Sequence, residues 1–382
     1  MNWLTGGSQG EAKKFIGQLT DLDKRERAAQ DLIRLGAEAA PALIETLQAR
    51  DPSLPPLAGQ LLVRIGTAAT PALVQALQSA HPLVRAQAVD ILAQTKDCSA
   101  VPALLDALRG EFYTVRARAA FALGQFGDPQ SLPLLLTALK DREDEVRIQA
   151  ALALGKFRDP GTFDDIANLL LDDLKIEVRQ AAAHALGETR HPAALPYLLE
   201  ALHNSFWWYE REQAAGDLLA AIEKMGTPAV APLIEALNDR EGTVRKFAAS
   251  LLGRLGDTRA IEPLGMAIYD LYHEVGKAAA ESLACFGGAS FGVLKEALAY
   301  PEAGIREYAV AALGKIQLAS VAPLLFEALN DPERVVRKQA VQSLGELRDS
   351  RALLPLQEIA ANRMDREMAA LAITALQTIR SK

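Results

Sequence analysis

With 382 residues, a net charge of −7 and a pI near 5.5, the chain lacks the basic surplus that binding along a phosphate backbone requires, which excludes a general nucleic-acid binder. Its two cysteines, Cys98 and Cys285, rule out a disulfide framework and point to a reducing cytoplasm. No run approaches the 18 uninterrupted apolar residues of a membrane span. Half of the residues are apolar but only 5% are aromatic, an Ala- and Leu-rich balance that suits many small packed helices.

A pattern of about 31 residues recurs along the chain, the signature of a solenoid built as one continuous domain over 1–382. Residues 1–8 read as a loose lead-in, with Trp3 and Leu4 covering the open end. The first hairpin, 9–36, is polar as a cap should be. The second, 37–66, must begin its second helix at Leu54-Pro55-Pro56, with the prolines in the first turn.

Hairpins three to six, 67–190, are the most regular. In the unit around DREDEVRIQAALAL, Val146, Ala150, Ala153 and Leu154 form one helical stripe, and Leu132, Leu135, Leu136 and Leu139 form another upstream. Lys140–Asp144 between them allows only a tight reversal, so the unit is a helical hairpin whose short helices depend on neighbours for stability. Pro133 fits the first turn of its helix. The seventh hairpin is irregular, with the turn HNSFWWYERE and a long following helix. Units eight to eleven resume the pattern through 349, and 350–382 is a C-terminal cap whose last cations favour the negative helix end.

Aligning the stripes places an arginine column at Arg25, Arg85, Arg116, Arg147, Arg179, Arg211, Arg245, Arg306 and Arg337. Five residues before the valine of the column lie Asp141, Asp173, Asp239, Asp270 and Asp331. Each is expected to cap a helix and to bond an arginine of the same or next unit. The interleaved acids favour a structural ladder over a row of phosphate-binding arginines.

The motif D-x4-V-R, then A-x2-A-L-G and a Pro-led helix, is similar to the HEAT-repeat pattern. VRARAAFALGQFGDPQSLPLLLTAL (115–139) and VRKQAVQSLGELRDSRALLPL (336–356) resemble the short form found in phycobilisome-lyase-like HEAT proteins. The resemblance covers almost the whole chain. It implies an all-α, right-handed α-solenoid (superhelix) of about twelve HEAT-like hairpins, with the Val-Arg helices on the concave side. It also implies one of two functions: a scaffold or adaptor that binds a protein partner, or a lyase or carrier for a bilin chromophore.

The strongest departure from the repeat is Phe206-Trp207-Trp208-Tyr209, beside Glu210, Arg211 and Glu212. Aromatics at a solvent-facing turn suit a binding hot spot, or they fold back to fill the wedge of a longer repeat; both readings stand. Phe112-Tyr113 and Tyr272-His273 align with Trp207-Trp208, so the three pairs are expected along one rim as partner contacts. His273-Glu274 is one pair of the kind that deoxyhypusine hydroxylase, a HEAT-repeat enzyme, uses in number for iron. The remaining histidines, His81, His184, His191 and His203, are not followed by Glu, so no metal site is expected. HEAT-like DNA glycosylases need a basic groove that this acidic chain lacks. There is no Walker loop, nucleophile elbow, G-x-G-x-x-G or C-x-x-C, and hence no expected catalytic residue or cofactor. Asp164-Asp165 and Asp172-Asp173 read as helix-end acids, the cysteines as small buried hydrophobes, and the protein as a cytoplasmic monomer.

Overall fold

The computed structural model describes residues 5–203, 212–318, 320–362 and 364–381. Among them every regular element is an α- or 3-10 helix. The α-helices pair in chain order from Thr5–Gln18 with Arg25–Leu35 to Leu353–Ala361 with Arg366–Arg380, giving the expected all-α solenoid of about twelve hairpins. Contacts gather these into two compact units, 1–201 with 210–221 and 202–209 with 222–382, and the division runs through hairpin seven.

Hairpin five, in the first unit, shows how the residues build the element. Its second helix, Asp144–Phe157, buries Val146, Ala150, Ala153 and Leu154, the stripe that the spacing requires. Its first helix, Leu132–Ala138, buries Leu135, Leu139 follows it into the core, and Leu132 and Leu136 are half-buried. Each fully buried leucine contributes about 2 kcal/mol by its removal from water. Pro133 stands in the first turn. The Leu54-Pro55-Pro56 start is also as expected, in the helix Leu54–Ile65.

Between hairpins the chain makes a 3-10 turn that the periodicity did not indicate. Asp128 accepts the Gln130 N–H at 2.9 Å ahead of Leu132–Ala138. Asp97, Asp159, Asp257 and Asp349 repeat this cap, and His191 does so through Nδ1.

Glycine decides how closely second helices stack. A Cβ on Gly124 would lie 2.6 Å from the Ala153 Cβ, and one on Gly155 would lie 2.8 Å from the Ala185 Cα and backbone oxygen. Gly187 meets Ala221 in the first unit, while Gly253 meets Ser282, Gly314 meets Ser343 and Gly345 meets Ala375 in the second. At these six positions the glycine lets the next second helix approach more closely than a Cβ would allow.

Several expectations are corrected. The first helix begins at Thr5, so 5–8 belong to it; Trp3 and Leu4 lie outside the described residues. The ladder aspartates do not cap the second helices directly. The N-cap residues Glu143, Lys175, Glu241, Tyr272 and Glu333 make no side-chain cap, and the aspartate two residues earlier accepts the N-cap N–H, at 3.0 Å for Asp141 and 2.8 Å for Asp270. Cys98 and Cys285 are free and exposed, because one starts a 3-10 turn and the other ends a helix.

The register of hairpin seven also changes. Gly187 abuts Ala221 and the second helix starts at Glu212, so the arginine column falls on Ala215, four positions after Arg211 in the sequence. The N1 column falls on Glu212, four residues beyond Trp208. Finally, Leu54–Ala76 is 23 residues long and contains an 18-residue window with a mean hydropathy of 1.3. It is nevertheless a helix, a 3-10 turn entered through Gly66 at φ 72°, and another helix, and neither α-helix has the length to cross a bilayer.

Candidate functional site

The arginine column forms the ladder. In the first unit Arg116 donates from Nε and Nη2 to Asp141 at 2.7 and 2.8 Å, while its Nη1 donates to the Gly110 and Glu111 carbonyls. Arg147 grips Asp173 in the same way. In the second unit Arg245 pairs with Asp270 at 2.6 and 2.8 Å, and Arg306 with Asp331 at 2.8 and 2.9 Å. Each arginine reaches forward to the aspartate of the next hairpin and back to the carbonyl of its own turn. Bidentate bonds from Arg245 hold the Asp270 carboxyl below the usual carboxylate range, despite the opposing effect of burial. At Asp141 burial is the largest influence and acts upward, but the bonds from Arg116 and the Glu143 N–H outweigh it.

Where the ladder breaks, rings or histidine fill the gap. Gly110 stands where Arg85 would meet an acid, and the Arg85 guanidinium lies over Phe112 instead, 4.3 Å from the ring centroid. Asp239 has no arginine in the preceding column position and takes His203 Nε2 at 2.8 Å. Gly276 replaces an arginine and Tyr300 its acid; there Tyr269 and Tyr300 pack with centroids 4.7 Å apart.

These contacts place the aromatic candidates. Phe112 and Tyr113 are the N-cap and N1 residues of Tyr113–Phe126 in the first unit, 38% and 46% exposed. Tyr272 and His273 hold the same positions on His273–Ala284 in the second unit. Tyr272 lies under Arg245 at 5.1 Å, and His273 Nδ1 is 2.9 Å from the Tyr308 hydroxyl. The two pairs are thus equivalent within their own repeats, with one ring of each tied to the preceding arginine. Phe206, Trp207, Trp208, Tyr209 and Arg211 lie outside the described residues.

A feature that the sequence reading passed over is a cleft of about 740 Å³ in the first unit, on the open face of the second helices of hairpins four to six. Its walls are Phe121, Gln149, Leu152, Lys156, His184 and Glu188, its rim includes Arg158, and Ala153, Gly155 and Ala185 form the floor. Phe121 is 45% exposed, and the Lys156 ammonium lies 5.2 Å from its ring centroid. Lys156 keeps solvent access, but the surrounding walls withhold enough water to push its ammonium below the usual lysine range. The signal was present in one outward column, which reads Asp90, Phe121, Leu152 and His184 in successive hairpins. Two apolar residues follow one another there at a position that faces solvent.

The HEAT-repeat profile matches residues 40–110, 70–148, 101–182, 135–218, 215–284 and 292–377. The chain belongs to the HEAT-repeat family. Comparison with curated protein sequences finds no match. Among solved structures the HEAT array is similar to Kap121p bound to Nup53p, with a TM-score of 0.61 and 14% identity over 97% of this chain and 49% of Kap121p. It is similar to the karyopherin Kap121p bound to the extreme C-terminus of the protein phosphatase Cdc14p, with a TM-score of 0.62 and 14% identity over 97% of this chain and 50% of that one. The chain spans about half the length of Kap121p, and identity this low speaks of fold alone. Human deoxyhypusine hydroxylase is 24% identical over 68% of this chain, but its TM-score of 0.31 carries no argument.

Within the HEAT array no group of three or more metal-ligating side chains occurs among the described residues. Arg116, Arg147, Arg245 and Arg306 are committed to carboxylates and carbonyls, whereas the cleft offers open apolar and cationic surface. Its chemistry is suited to holding a chain segment.

Proposed function

We propose that this HEAT array is a non-enzymatic scaffold that holds a protein partner along the open face of its second helices. The observation that carries the reading is the cleft between Phe121 and His184, where an exposed ring, a leucine and a cation adjoin a floor of small residues. Apolar surface with a polar rim is the pattern of a binding hot spot. Kap121p, of similar fold, has been crystallised with Nup53p and with the extreme C-terminus of Cdc14p, and this supports protein binding by such an array. The two exposed free thiols are compatible with a cytoplasmic setting, which belongs to the same proposal.

The test is selection from a displayed peptide library, followed by titration of the best binder. Phe121→Ala should weaken binding at least tenfold, about 1.4 kcal/mol, with helicity and Tm unchanged. An empty selection, or turnover of a small molecule, would overturn the scaffold reading. A bilin carrier of the phycobilisome-lyase-like kind is less well supported, because Arg116, Arg245 and Arg306, which could meet its propionates, are already bonded to carboxylates. A shift in absorbance on adding a bilin would favour it.

Phe206, Trp207, Trp208, Tyr209 and Arg211 are proposed as a second contact for the same partner. Trp207→Ala with Trp208→Ala is expected to reduce partner capture in a pull-down while leaving the thermal transition in place. A lowered transition would identify the rings as wedge filling.

A further inference from the structure

The cleft carries a charge pattern that narrows what it holds, and this step rests on the scaffold reading. Lys156 has the Phe121 ring as a partner and no carboxylate within ion-pair reach among the described residues. Arg158, two residues on at the rim, has no side-chain partner among them either. Glu188, the one acid in the lining, has His184 Nε2 at 4.0 Å and a further interaction of its own. Two carboxylates close by in the sequence are also bonded: Asp159 accepts the Gly161 N–H, and Glu145 accepts from Gln149 Nε2. The cleft therefore presents two cations that no carboxylate pairs with among the described residues, beside two apolar side chains and with Glu188 as its one acid.

Arg158 also sits where a side chain is unfavourable. It ends its helix in the left-handed region at φ 53°, as Lys96, Arg190 and Arg348 do in their own hairpins, while Gly127 in the preceding hairpin and Gly256 in the second unit hold that position at φ 66°. Replacing glycine there costs on the order of 1 kcal/mol of backbone strain. A cation near a helix C-terminus recovers only part of that cost.

We infer that the first-unit cleft takes an extended peptide segment of a partner in which an acidic side chain neighbours an apolar one. The carboxylate sits between Lys156 and Arg158, and the apolar side chain lies on Phe121 and Leu152. The shallow floor of Ala153, Gly155 and Ala185 leaves room for the peptide backbone. Charge complementarity sets the choice: a basic segment would meet two like charges, and a neutral one would leave both cations unpaired.

The experiment is fluorescence anisotropy on the full chain, with an end-blocked peptide library of fixed length in which acidic, amide and basic residues alternate with leucine. Acidic peptides should bind at least tenfold more tightly than their Asn/Gln counterparts, and the preference should shrink as salt rises. Lys156→Met should remove most of it. Arg158→Gly should weaken acidic-peptide binding several-fold while Tm holds or rises, an outcome that a purely structural arginine would not give. Equal binding of acidic and amide peptides, or a preference that survives Lys156→Met with Arg158→Gly, would overturn this inference but leave the scaffold reading standing. Failure of every peptide to bind would sink both.

Discussion

Gly155→Val should unfold the middle of the first unit well below the wild-type transition, at a cost of more than about 3 kcal/mol. The added Cβ would lie 2.8 Å from the Ala185 Cα and backbone oxygen and 2.9 Å from its Cβ. No long side chain can swing aside there, so the helices Asp144–Phe157 and Ile176–Thr189 must separate. Gly155→Ala is the finer version. Ala gains about 1 kcal/mol of helix propensity over Gly, while overpacking costs about 1–3 kcal/mol, and three simultaneous overlaps place this site at the upper end. A net loss of about 1–2 kcal/mol is expected, and with it lower hydrogen-exchange protection in those two helices. Gly59→Ala is the control: it is also helical, and a Cβ there meets nothing within 4 Å. That substitution should stabilise by about 0.5–1 kcal/mol. If both alanines stabilise, close approach is not what the A-L-G glycine provides.

Asp270→Ala should cost about 2–3 kcal/mol by urea unfolding, because it leaves Arg245 poorly hydrated and without its bidentate partner. Both side chains are 11% exposed, so the pair is screened far less than surface ion pairs worth under about 1 kcal/mol. Arg254→Ala, which loses only an exposed partner at 3.5 Å, is the comparison and should shift stability by less than about 0.5 kcal/mol. The ladder also sets an acid limit. The Asp141, Asp270 and Asp331 carboxyls lie below their ordinary range; an arginine bond is the leading cause at Asp270 and Asp331, while at Asp141 the Arg116 and Glu143 bonds overcome the effect of burial. A group whose folded pKa is depressed adds stability above its unfolded pKa, about 3.9, and loses it as pH falls through the lower folded value. Wild-type stability should therefore fall steeply below about pH 4, and Asp270→Asn should flatten part of that slope. An unchanged slope would show that the rung contributes nothing to folding.

Hairpin seven shows why some of the site was legible and some was not. The local motif aligns Arg211 with its column, yet four extra residues ahead of the helix Glu212–Lys224 displace every column while leaving the stripe that follows intact. The contact of Gly187 with Ala221 reveals the displacement. The cleft was harder to see, because Phe121 and Leu152 look like ordinary apolar helix residues until burial separates the inward from the outward stripe.

From the residues alone one could derive helical hairpins, their number, the proline starts and the arginine ladder, since each depends on spacing within about 31 residues. What only the tertiary structure decided was which arginine meets which aspartate, where glycine lets two backbones touch, and which lysine is left facing a ring without a carboxylate. Those outcomes depend on distances between side chains one repeat apart, and periodicity specifies the columns without specifying how the columns meet.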